Sequence, residues 1–297
     1  MAFQIARKRR HAPAQNSILG IHLAAQFGKL SAPMPRLRRV LSPDNRPIYC
    51  VHRDEVRGVA DQIGLYLRHG ISIENGDVVF DVGANIGLFA LEAARRGAYV
   101  HAFEPLPATF GALQANARAA QITAHNLALG ARAGTASFAY FSQMSALSTR
   151  FPELIERNAP SGVTAVLDDA QLAPRFAWFR RAPAPLRRAV VALCVRFLFQ
   201  PEMISCRVEP FSDVRRALQI ERVDLLKVDV EGAEAQVLAG IGDGDWPRIR
   251  QIVMEVHDEN GRLKQIETLL RARGFVVESQ PEPQAGAWGI WLLWAWR

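Results

Sequence analysis

The 297-residue chain lacks any apolar run long enough to cross a membrane. Its longest dense apolar stretch, residues 189–199, is interrupted by Arg196 and is shorter than the about 20 residues that a spanning helix needs. The basic residues 7–10 lie near the start of the chain, but no apolar signal core follows them at once. We therefore expect neither a transmembrane segment nor a secretory signal.

Cysteine is also scarce. The three cysteines, Cys50, Cys194 and Cys206, show neither even pairing nor the short spacing of a metal site. We interpret them as reduced thiols, which predicts a cytoplasmic protein without structural disulfides.

The charge is unevenly distributed, although the net value is only +7. Residues 1–46 carry nine Lys and Arg side chains against one acid, and residues 175–207 carry seven Arg against one acid. The rest of the chain is therefore net acidic. The two basic segments are either solvated surfaces or contacts for an acidic partner. No recognition module of a nucleic-acid-binding protein is visible, so we do not expect nucleic acid as a partner.

A strand, a glycine turn, a helix and a second strand follow one another over residues 78–110. The first strand ends at Asp81, and Gly83 and Gly87 bracket a tight turn. We expect Asn85 to cap the helix that follows. Glycines at such a turn let the backbone approach a ligand closely, so the unit is a candidate nucleoside site.

The acid after the second strand indicates which nucleoside binds. Glu104 follows Gly83 at the spacing of about 20 residues at which an acid binds ribose hydroxyls. The three-glycine spacing of a dinucleotide fingerprint is absent, and Asp81 precedes the turn. An acid there suits a cationic amino-acid nucleoside, which predicts S-adenosylmethionine (SAM). The alternative is a βαβ unit that binds no ligand.

The regular alternation of strands and helices is interrupted and then resumes. Residues 1–46 are rich in Arg and Pro and predict an arm or linker. Residues 143–207 contain a basic amphipathic stretch, which indicates an inserted helical lid or a helix that lies on a membrane surface. An antiparallel strand is predicted over residues 135–141. Further strands are predicted at residues 223–230, 251–256, 275–278 and 287–296.

Four blocks of the sequence resemble the FkbM family of SAM-dependent O-methyltransferases. They read LYLRHGI from residue 65, VVFDVGANIGLFAL from 78, VDLLKVDVEGAEAQVLAGI from 223 and IVMEVHDENGRLKQIETLLRARGFVV from 252. The chain is most similar to members in polyketide and non-ribosomal peptide assembly lines, over about residues 47–297. The lid is more basic and proline-rich than the family pattern, and the arm matches nothing in it.

The resemblance implies a fold and a set of functional residues. The fold is α/β, the Rossmann-like class I methyltransferase architecture, with a seven-stranded, mostly parallel sheet and the lid inserted at about 143–207. Glu104 is expected to accept hydrogen bonds from ribose hydroxyls, and Asp81 to face the methionine moiety. The residues expected to bind SAM are Asp81, Gly83, Asn85, Gly87, Glu104, Asn126 and Asp229.

Methyl transfer to a hydroxyl group needs a residue that removes the proton. His257 follows a strand and is expected to be a largely neutral general base, because its unperturbed pKa is about 6.5. Asp229 or Glu231 is expected to orient it. Lys227 lies in an apolar strand and is expected to pair with a carboxylate such as Glu255.

A metal is an alternative that the sequence leaves open. The donors Asp229, Glu231, Glu255, His257 and Asp258 are close in sequence to two strand ends, but they show no metal-specific spacing, so we assign no metal site.

The expected methyl acceptor is a hydroxyl of a small molecule, either free or tethered to an acidic acyl carrier protein that the basic lid would attract. A sugar or lipid-sugar acceptor is the alternative within the same fold. A SAM-binding protein without catalytic activity is the alternative outside enzymes. The sequence is also compatible with a homodimer.

Overall fold

The computed structural model describes residues 37–42, 45–52, 56, 63–118, 120–141, 148–168, 177–198, 200–283 and 289–297. All of these residues belong to one unit, Arg36–Arg297. Most of the predicted basic arm lies outside the described residues.

The strands, in chain order, are β1 Arg38–Leu41, β2 Pro47–Cys50, β3 Val78–Val82, β4 Tyr99–Phe103, β5 Ile122–His125, β6 Ala128–Leu129, β7 Gly134–Phe141, β8 Pro201–Glu209, β9 Val223–Val228, β10 Ile249–His257, β11 Val276–Pro281 and β12 Ile290–Trp296. The helices are α1 Leu88–Arg95, α2 Pro107–Ala117, α3 Pro152–Asp168, α4 Ala184–Leu198, α5 Phe211–Ala217, α6 Glu234–Ala239 and α7 Arg262–Ala272.

The central sheet has seven strands in the order β11-β12-β10-β9-β3-β4-β5. The pairs from β10 through β9, β3 and β4 to β5 are parallel, and β12 runs antiparallel to both of its neighbours. The predicted fold class, a Rossmann-like, mostly parallel seven-stranded sheet, is confirmed.

The order of the strands reverses between β3 and β9. From β3 the chain continues outward through β4 and β5, whereas β9 leads in the opposite direction to β10. In sheets of this kind ligands bind at the carboxyl ends of the strands, at the point where the order reverses. The carboxyl ends of β3 and β9 therefore locate the site.

Buried apolar side chains cover both faces of this sheet. Successive residues of β3 point to opposite faces, so that Val79 and Phe80, both fully buried, belong to two different clusters. Such a run, buried on both faces, is typical of a central parallel strand. This burial fixes the strands on which the functional side chains stand.

The structure changes the predicted limits of the lid. Residues 201–207 belong to β8, which pairs antiparallel with β7 along its whole length in a separate three-stranded sheet with β6. Alternate residues Cys206 and Val208 are buried there, and this period of two is the pattern of a strand and not of a helix. The helical part is α3 and α4, called the lid helices below. The predicted antiparallel strand at 135–141 is confirmed as β7.

The predicted arm also ends earlier than residue 46. Arg38–Leu41 forms β1, which pairs antiparallel with β2 in a two-stranded sheet. Within the part of the chain that the structure describes, no helix is both long and apolar enough to cross a bilayer.

Candidate active site

The turn after β3, residues 83–87, is called the cofactor loop below. Gly83 adopts a φ of 76°, and a Cβ atom there would lie 1.7 Å from the carbonyl oxygen of Asp229. Only glycine therefore allows the loop to pass so close to the end of β9. The amide nitrogen of Asp229 donates to the carbonyl of Val82 at 3.0 Å, which joins the two strand ends.

Asn85 does not cap the next helix, and that prediction was wrong. Helix α1 is preceded by Gly87 in the left-handed region, with no side-chain hydrogen bond to the helix end. Asn85 itself adopts a φ of 50°, in the left-handed region. Its buried Oδ1 atom has no hydrogen-bond partner among the described residues. An unsatisfied buried acceptor at a ligand loop suits a donor supplied by a ligand.

Glu104 follows β4 and is 6% exposed. Its Oε2 accepts from the amide of Asn85 at 3.0 Å, and its Oε1 accepts from the amide of Leu106 at 3.0 Å and the hydroxyl of Thr109 at 2.7 Å. Burial raises the pKa of Glu104, and these three hydrogen bonds oppose the increase. The carboxylate is thus fixed in place beside the cofactor loop.

Asn126 follows β5 and supports the backbone next to Glu104. Its Nδ2 donates to the carbonyls of Glu104 and Pro105, both at 2.9 Å. The structure therefore gives Asn126 a role in holding the end of β4, and its expected role beside the adenine stays a prediction.

Lys227 joins the two sides of the site. Its buried Nζ lies 3.1 Å from Asp81 Oδ1 and 3.3 Å from Asp229 Oδ2, and it donates to the carbonyl of Gly83 at 3.0 Å. Burial alone would lower the pKa of Lys227, but Asp81 and Asp229 raise it above its usual range. The predicted carboxylate partner of Lys227 is confirmed, but the partners are Asp81 and Asp229 and not Glu255, because Lys227 stands opposite Asp81 in the register of β3 and β9.

Asp229 has a further partner far away in the sequence. The hydroxyl of Tyr66 donates to Asp229 Oδ2 at 3.1 Å. Tyr66 is 2% exposed, and burial together with Asp229 raises the pKa of its hydroxyl well above the usual range. The carboxylate of Asp229 is thus held by Lys227 and Tyr66, at the boundary between the cofactor loop and the end of β10.

His257, the last residue of β10, lies between two carboxylates. Its Nε2 is 3.2 Å from Glu231 Oε2, and its Nδ1 is 3.1 Å from Glu234 Oε1. Burial alone would lower the pKa of His257, but the hydrogen bonds to both glutamates hold it well above its usual range. The expectation of a largely neutral imidazole was therefore wrong, since it ignored these two acids.

Glu231 is the more solvent-exposed end of the hydrogen-bonded series Glu231–His257–Glu234. Its side chain is 15% exposed, whereas that of Glu234 is fully buried and also bound by Arg262. Glu231 adopts a φ of 51°, a conformation that residues other than glycine rarely occupy. Its carbonyl accepts a hydrogen bond from the hydroxyl of Thr149, which ties the segment before the lid helices to this end of β9.

A third acid faces Asp229 and Glu231. Oxygen atoms of Asp229, Glu231 and Glu255 lie within 4.8 Å of one another. Burial, followed by the charges of Asp229 and Glu231, raises the pKa of Glu255 well above its usual range. Glu231, Glu255 and His257 are called the acceptor side below.

Asp258 does not join this group. Its Oδ1 accepts from the amide of Leu263 at 3.0 Å, at the start of α7. Of the five metal donors considered from the sequence, the structure brings together the carboxylates of Asp229, Glu231 and Glu255. His257 pairs with glutamates, and Asp258 accepts a hydrogen bond at a helix end.

Three residues of the site were missed by the sequence reasoning. Glu234 follows Glu231 by three residues and lies close in sequence to the other candidate acids, which could have suggested a second partner for His257. Thr109 stands near Glu104 in sequence and contacts it. Tyr66 gave no signal, since only the folded chain brings it to Asp229.

Asp81, Asn85, Glu104 and Asp229, called the cofactor side below, fit SAM in their chemistry. Glu104 is a fixed acceptor, Asn85 offers an unsatisfied acceptor, and Asp81 and Asp229 place negative charge near the loop. This set of acceptors and negative charges suits a ligand with hydroxyl, amine and sulfonium groups and no phosphate. We find no basic cradle for a pyrophosphate among the described residues of the loop.

Comparison with known proteins also indicates a methyltransferase. The family model described as "Methyltransferase FkbM domain" matches residues 81–173 and 194–277. The chain is 38% identical over 229 residues to 31-O-demethyl-FK506 methyltransferase FkbM of Streptomyces tacrolimicus, covering 73% of this chain and 80% of that protein.

Other relatives differ in size. The AMB antimetabolite synthetase AmbE of Pseudomonas aeruginosa is 35% identical over 222 residues, which cover 72% of this chain but 10% of AmbE. The solved methyltransferase FkbM from Methylobacillus flagellatus KT is 14% identical, with a TM-score of 0.47, covering 79% of this chain and 47% of that one. The family model and the 38% identical relative decide the assignment: this chain belongs to the FkbM methyltransferase family, which implies SAM as its methyl donor.

Proposed function

We propose that the chain transfers a methyl group from SAM to a hydroxyl oxygen of a natural-product intermediate. The observation that supports this most is the hydrogen-bonded series Glu231–His257–Glu234 at the end of β10, beside the cofactor loop. A hydroxyl acceptor must lose a proton, and this series offers a place for it. One relative supports oxygen as the target by its name, 31-O-demethyl-FK506 methyltransferase.

The cofactor side holds and orients the methyl donor. When bound, SAM supplies an electrophilic methyl group on a sulfonium. Glu104 would accept from the ribose hydroxyls, and Asn85 Oδ1 would accept from a donor of the ligand. Asp81 and Asp229 would face its positive charge. Because Lys227, Tyr66 and Thr109 already fix these carboxylates, little side-chain entropy is lost when the ligand binds.

The acceptor side receives the proton. His257 carries a raised pKa between two acids, so it is charged near neutral pH and is not itself a free base. Glu231 is the exposed member of the series, and burial raises the pKa of its carboxyl, which makes it a stronger base than an ordinary glutamate. In this mechanism Glu231 accepts the proton, and His257 holds Glu231 in position.

The lid helices suit an acidic carrier of the acceptor. An apolar groove of about 1070 Å³ lies between α3 and α4, and Arg188 and Arg196 line it with exposed positive charge. Thr149 links the preceding segment to Glu231. The relative AmbE is a synthetase of which this chain matches only a small part, which favours a carrier-tethered acceptor. A sugar or lipid-sugar hydroxyl is the competing acceptor class.

The test uses SAM with a trideuterated methyl group and three acceptor classes. They are a free hydroxylated polyketide, a hydroxyacyl group on an acyl carrier protein, and a sugar alcohol. We expect mass spectrometry to show a labelled methyl on the first or second class, and NMR to place it on oxygen. Methylation of nitrogen or carbon would contradict the proposal. SAM binding by calorimetry without transfer to any acceptor would favour the non-catalytic alternative.

A further inference from the structure

Helix α4 presents three large apolar side chains to solvent. Leu186, Leu193 and Phe197 are 49%, 56% and 69% exposed. At about 3.6 residues per turn, the spacing of these positions places all three on one side of the helix, in a row about 16 Å long. Scattered exposed apolar residues need no explanation, but a row of them marks a contact surface. These three residues are called the outer stripe below.

The outer stripe lies on the side of α4 that faces away from the groove between the lid helices. Val191 and Val195 are about half a turn away from it and pack with Phe179 and with Val163 of α3. Helix α4 is therefore apolar on two sides. The folded chain covers one side and leaves the other exposed, and a helix that is apolar all round is normally covered all round.

The charge around the outer stripe has one sign. Residues 177–201 contain five arginines and no acid. Arg187 and Arg196 are about a quarter of a turn from the stripe, one on each side. Arg187 pairs with Asp168, whereas Arg196 is exposed. Arginine stems can lie along an apolar surface while their charged ends reach a polar layer, so this border suits a surface that is apolar inside and anionic outside.

We infer that the outer stripe docks α4 on the surface of an anionic lipid membrane. Leucine and phenylalanine on one side of a helix with arginines beside them form the pattern of a helix that lies in the membrane interface. The apolar side chains enter the boundary of the acyl chains, and each arginine near the surface adds attraction to anionic headgroups. The inference goes beyond the proposed function, because it concerns where the lid helices lie and not the methyl transfer.

Other occupants of the outer stripe match the observations less well. A second copy of the chain would bring a second set of arginines against the first, with no acid on either α4 to offset them. The basic residues 1–46 carry the same sign of charge. An acidic protein matches the charge, but a stable protein interface needs about 800 Å² of complementary surface on each partner. A narrow, convex stripe needs only a fluid surface that adapts to it.

The test is co-sedimentation of the full chain with vesicles of phosphatidylcholine alone and of phosphatidylcholine mixed with phosphatidylglycerol. We expect binding to the mixed vesicles that weakens in high salt, and weaker binding to the neutral vesicles. Leu193→Ser combined with Phe197→Ser should lower the partition coefficient about tenfold or more, because two apolar side chains no longer enter the membrane. The matched control is Leu41→Ser combined with Tyr99→Ser, at a similarly exposed leucine and aromatic residue of β1 and β4.

The control variant should bind vesicles as wild type does, and circular dichroism checks the fold of both variants. Absence of wild-type binding to the mixed vesicles would overturn the inference. Equal binding by wild type and the stripe variant would also overturn it, since charge alone would then explain adsorption. A dimer, or a complex with an acidic carrier protein, that forms without vesicle binding and is lost in the stripe variant would assign the stripe to that partner instead.

The stripe variant separates this inference from the proposed function. It should bind SAM and methylate an acceptor free in solution as wild type does, because the outer stripe faces away from the groove. Absence of methyl transfer by wild type would reject the proposed function and leave the vesicle result standing. Absence of vesicle binding with normal methyl transfer would reject only the membrane contact.

Discussion

Glu104 and Glu255 are two buried glutamates at the carboxyl ends of strands in one sheet, and each is 6% exposed. Glu104 receives three hydrogen bonds, from Asn85, Leu106 and Thr109. Glu255 receives none from the described residues, and the like charges of Asp229, Glu231 and Glu282 act on it. Equal burial thus produces two different electrostatic settings within one site.

The difference indicates that the two sides of the site have different functions. On the cofactor side the donors are already supplied by the protein, so the acceptor geometry exists before the ligand arrives. On the acceptor side burial and neighbouring acids raise the pKa of Glu255, so its protonated form is favoured. The predictions below test each half of this comparison.

The largest effect is expected on the acceptor side. Glu231→Gln should lower kcat by ~10²–10⁴-fold, because the group that receives the proton is lost. His257→Asn should also lower kcat, by ~10²-fold, since Glu231 loses its partner. SAM affinity, measured by calorimetry, should stay near that of wild type in both variants. A wild-type kcat in Glu231→Gln would place the base elsewhere.

The cofactor side should respond in the opposite way. Glu104→Ala should weaken SAM binding by about 1.5–3 kcal/mol, because hydrogen bonds to a charged acceptor are lost. Thr109→Val should weaken it less, since it removes one donor to Glu104 and leaves the carboxylate. Calorimetry measures both, with circular dichroism to check the fold. Unchanged affinity in a folded Glu104→Ala variant would reject the ribose assignment.

A partly buried pair of histidines gives a third setting. His101 Nδ1 and His125 Nε2 lie 3.1 Å apart, and burial lowers the pKa of His101 to about 4 and of His125 to about 3. Both rings are therefore neutral in the folded state, whereas in the unfolded chain they titrate near 6.5. Their contribution to stability is complete above pH ~6.5 and is lost as the pH falls toward these lower values.

On acidification each of these two partly exposed rings should lower the free energy of unfolding by about 1–3 kcal/mol. Urea unfolding at pH 7.5 and 4.5 measures the loss. His125→Phe should reduce it, because the new ring keeps the stacking on Phe103 and cannot bind a proton. An equal loss in His125→Phe would contradict the assignment.

The smallest effect is expected at the lid helices. Arg188→Glu combined with Arg196→Glu should raise KM for a carrier-tethered acceptor several-fold, and less in high salt. Arg187 is left unchanged, because it pairs with Asp168 and lies over the ring of Phe179. The matched control reverses two other exposed arginines, Arg132 and Arg250. An equal KM in both double variants at low salt would rule out capture of the carrier by the lid.

The sequence predicted the cofactor loop well, because local signals determine it. Gly83 and Gly87 adopt positive φ at the predicted turn, and Glu104 ends the predicted second strand beside it. The placement of His257 at the end of a strand next to Asp229 and Glu231 was also predictable, since parallel strands end at one edge. Whether these residues act as assigned stays a prediction.

Apart from the cap at Asn85, the errors share one physical cause: local sequence patterns do not determine strand register or long-range contacts. Lys227 pairs with Asp81 because β9 aligns it there, not with Glu255 on the other neighbour strand. The pKa of His257 depends on Glu234, whose orientation follows from the start of α6. The proline-rich, basic composition around residues 175–207 concealed β8, which needs β7 as its partner to form.

The contacts of Lys227 limit which substitutions the ends of β3 and β9 can accept. One ammonium group contacts Asp81 at the end of β3 and stands beside Asp229 at the end of β9. A substitution at either acid therefore alters the electrostatic balance at the other, and effects at such shared contacts do not add. Substitutions at the lid can therefore change the acceptor without affecting this contact, whereas a substitution at either strand end must be compatible with the acid at the other.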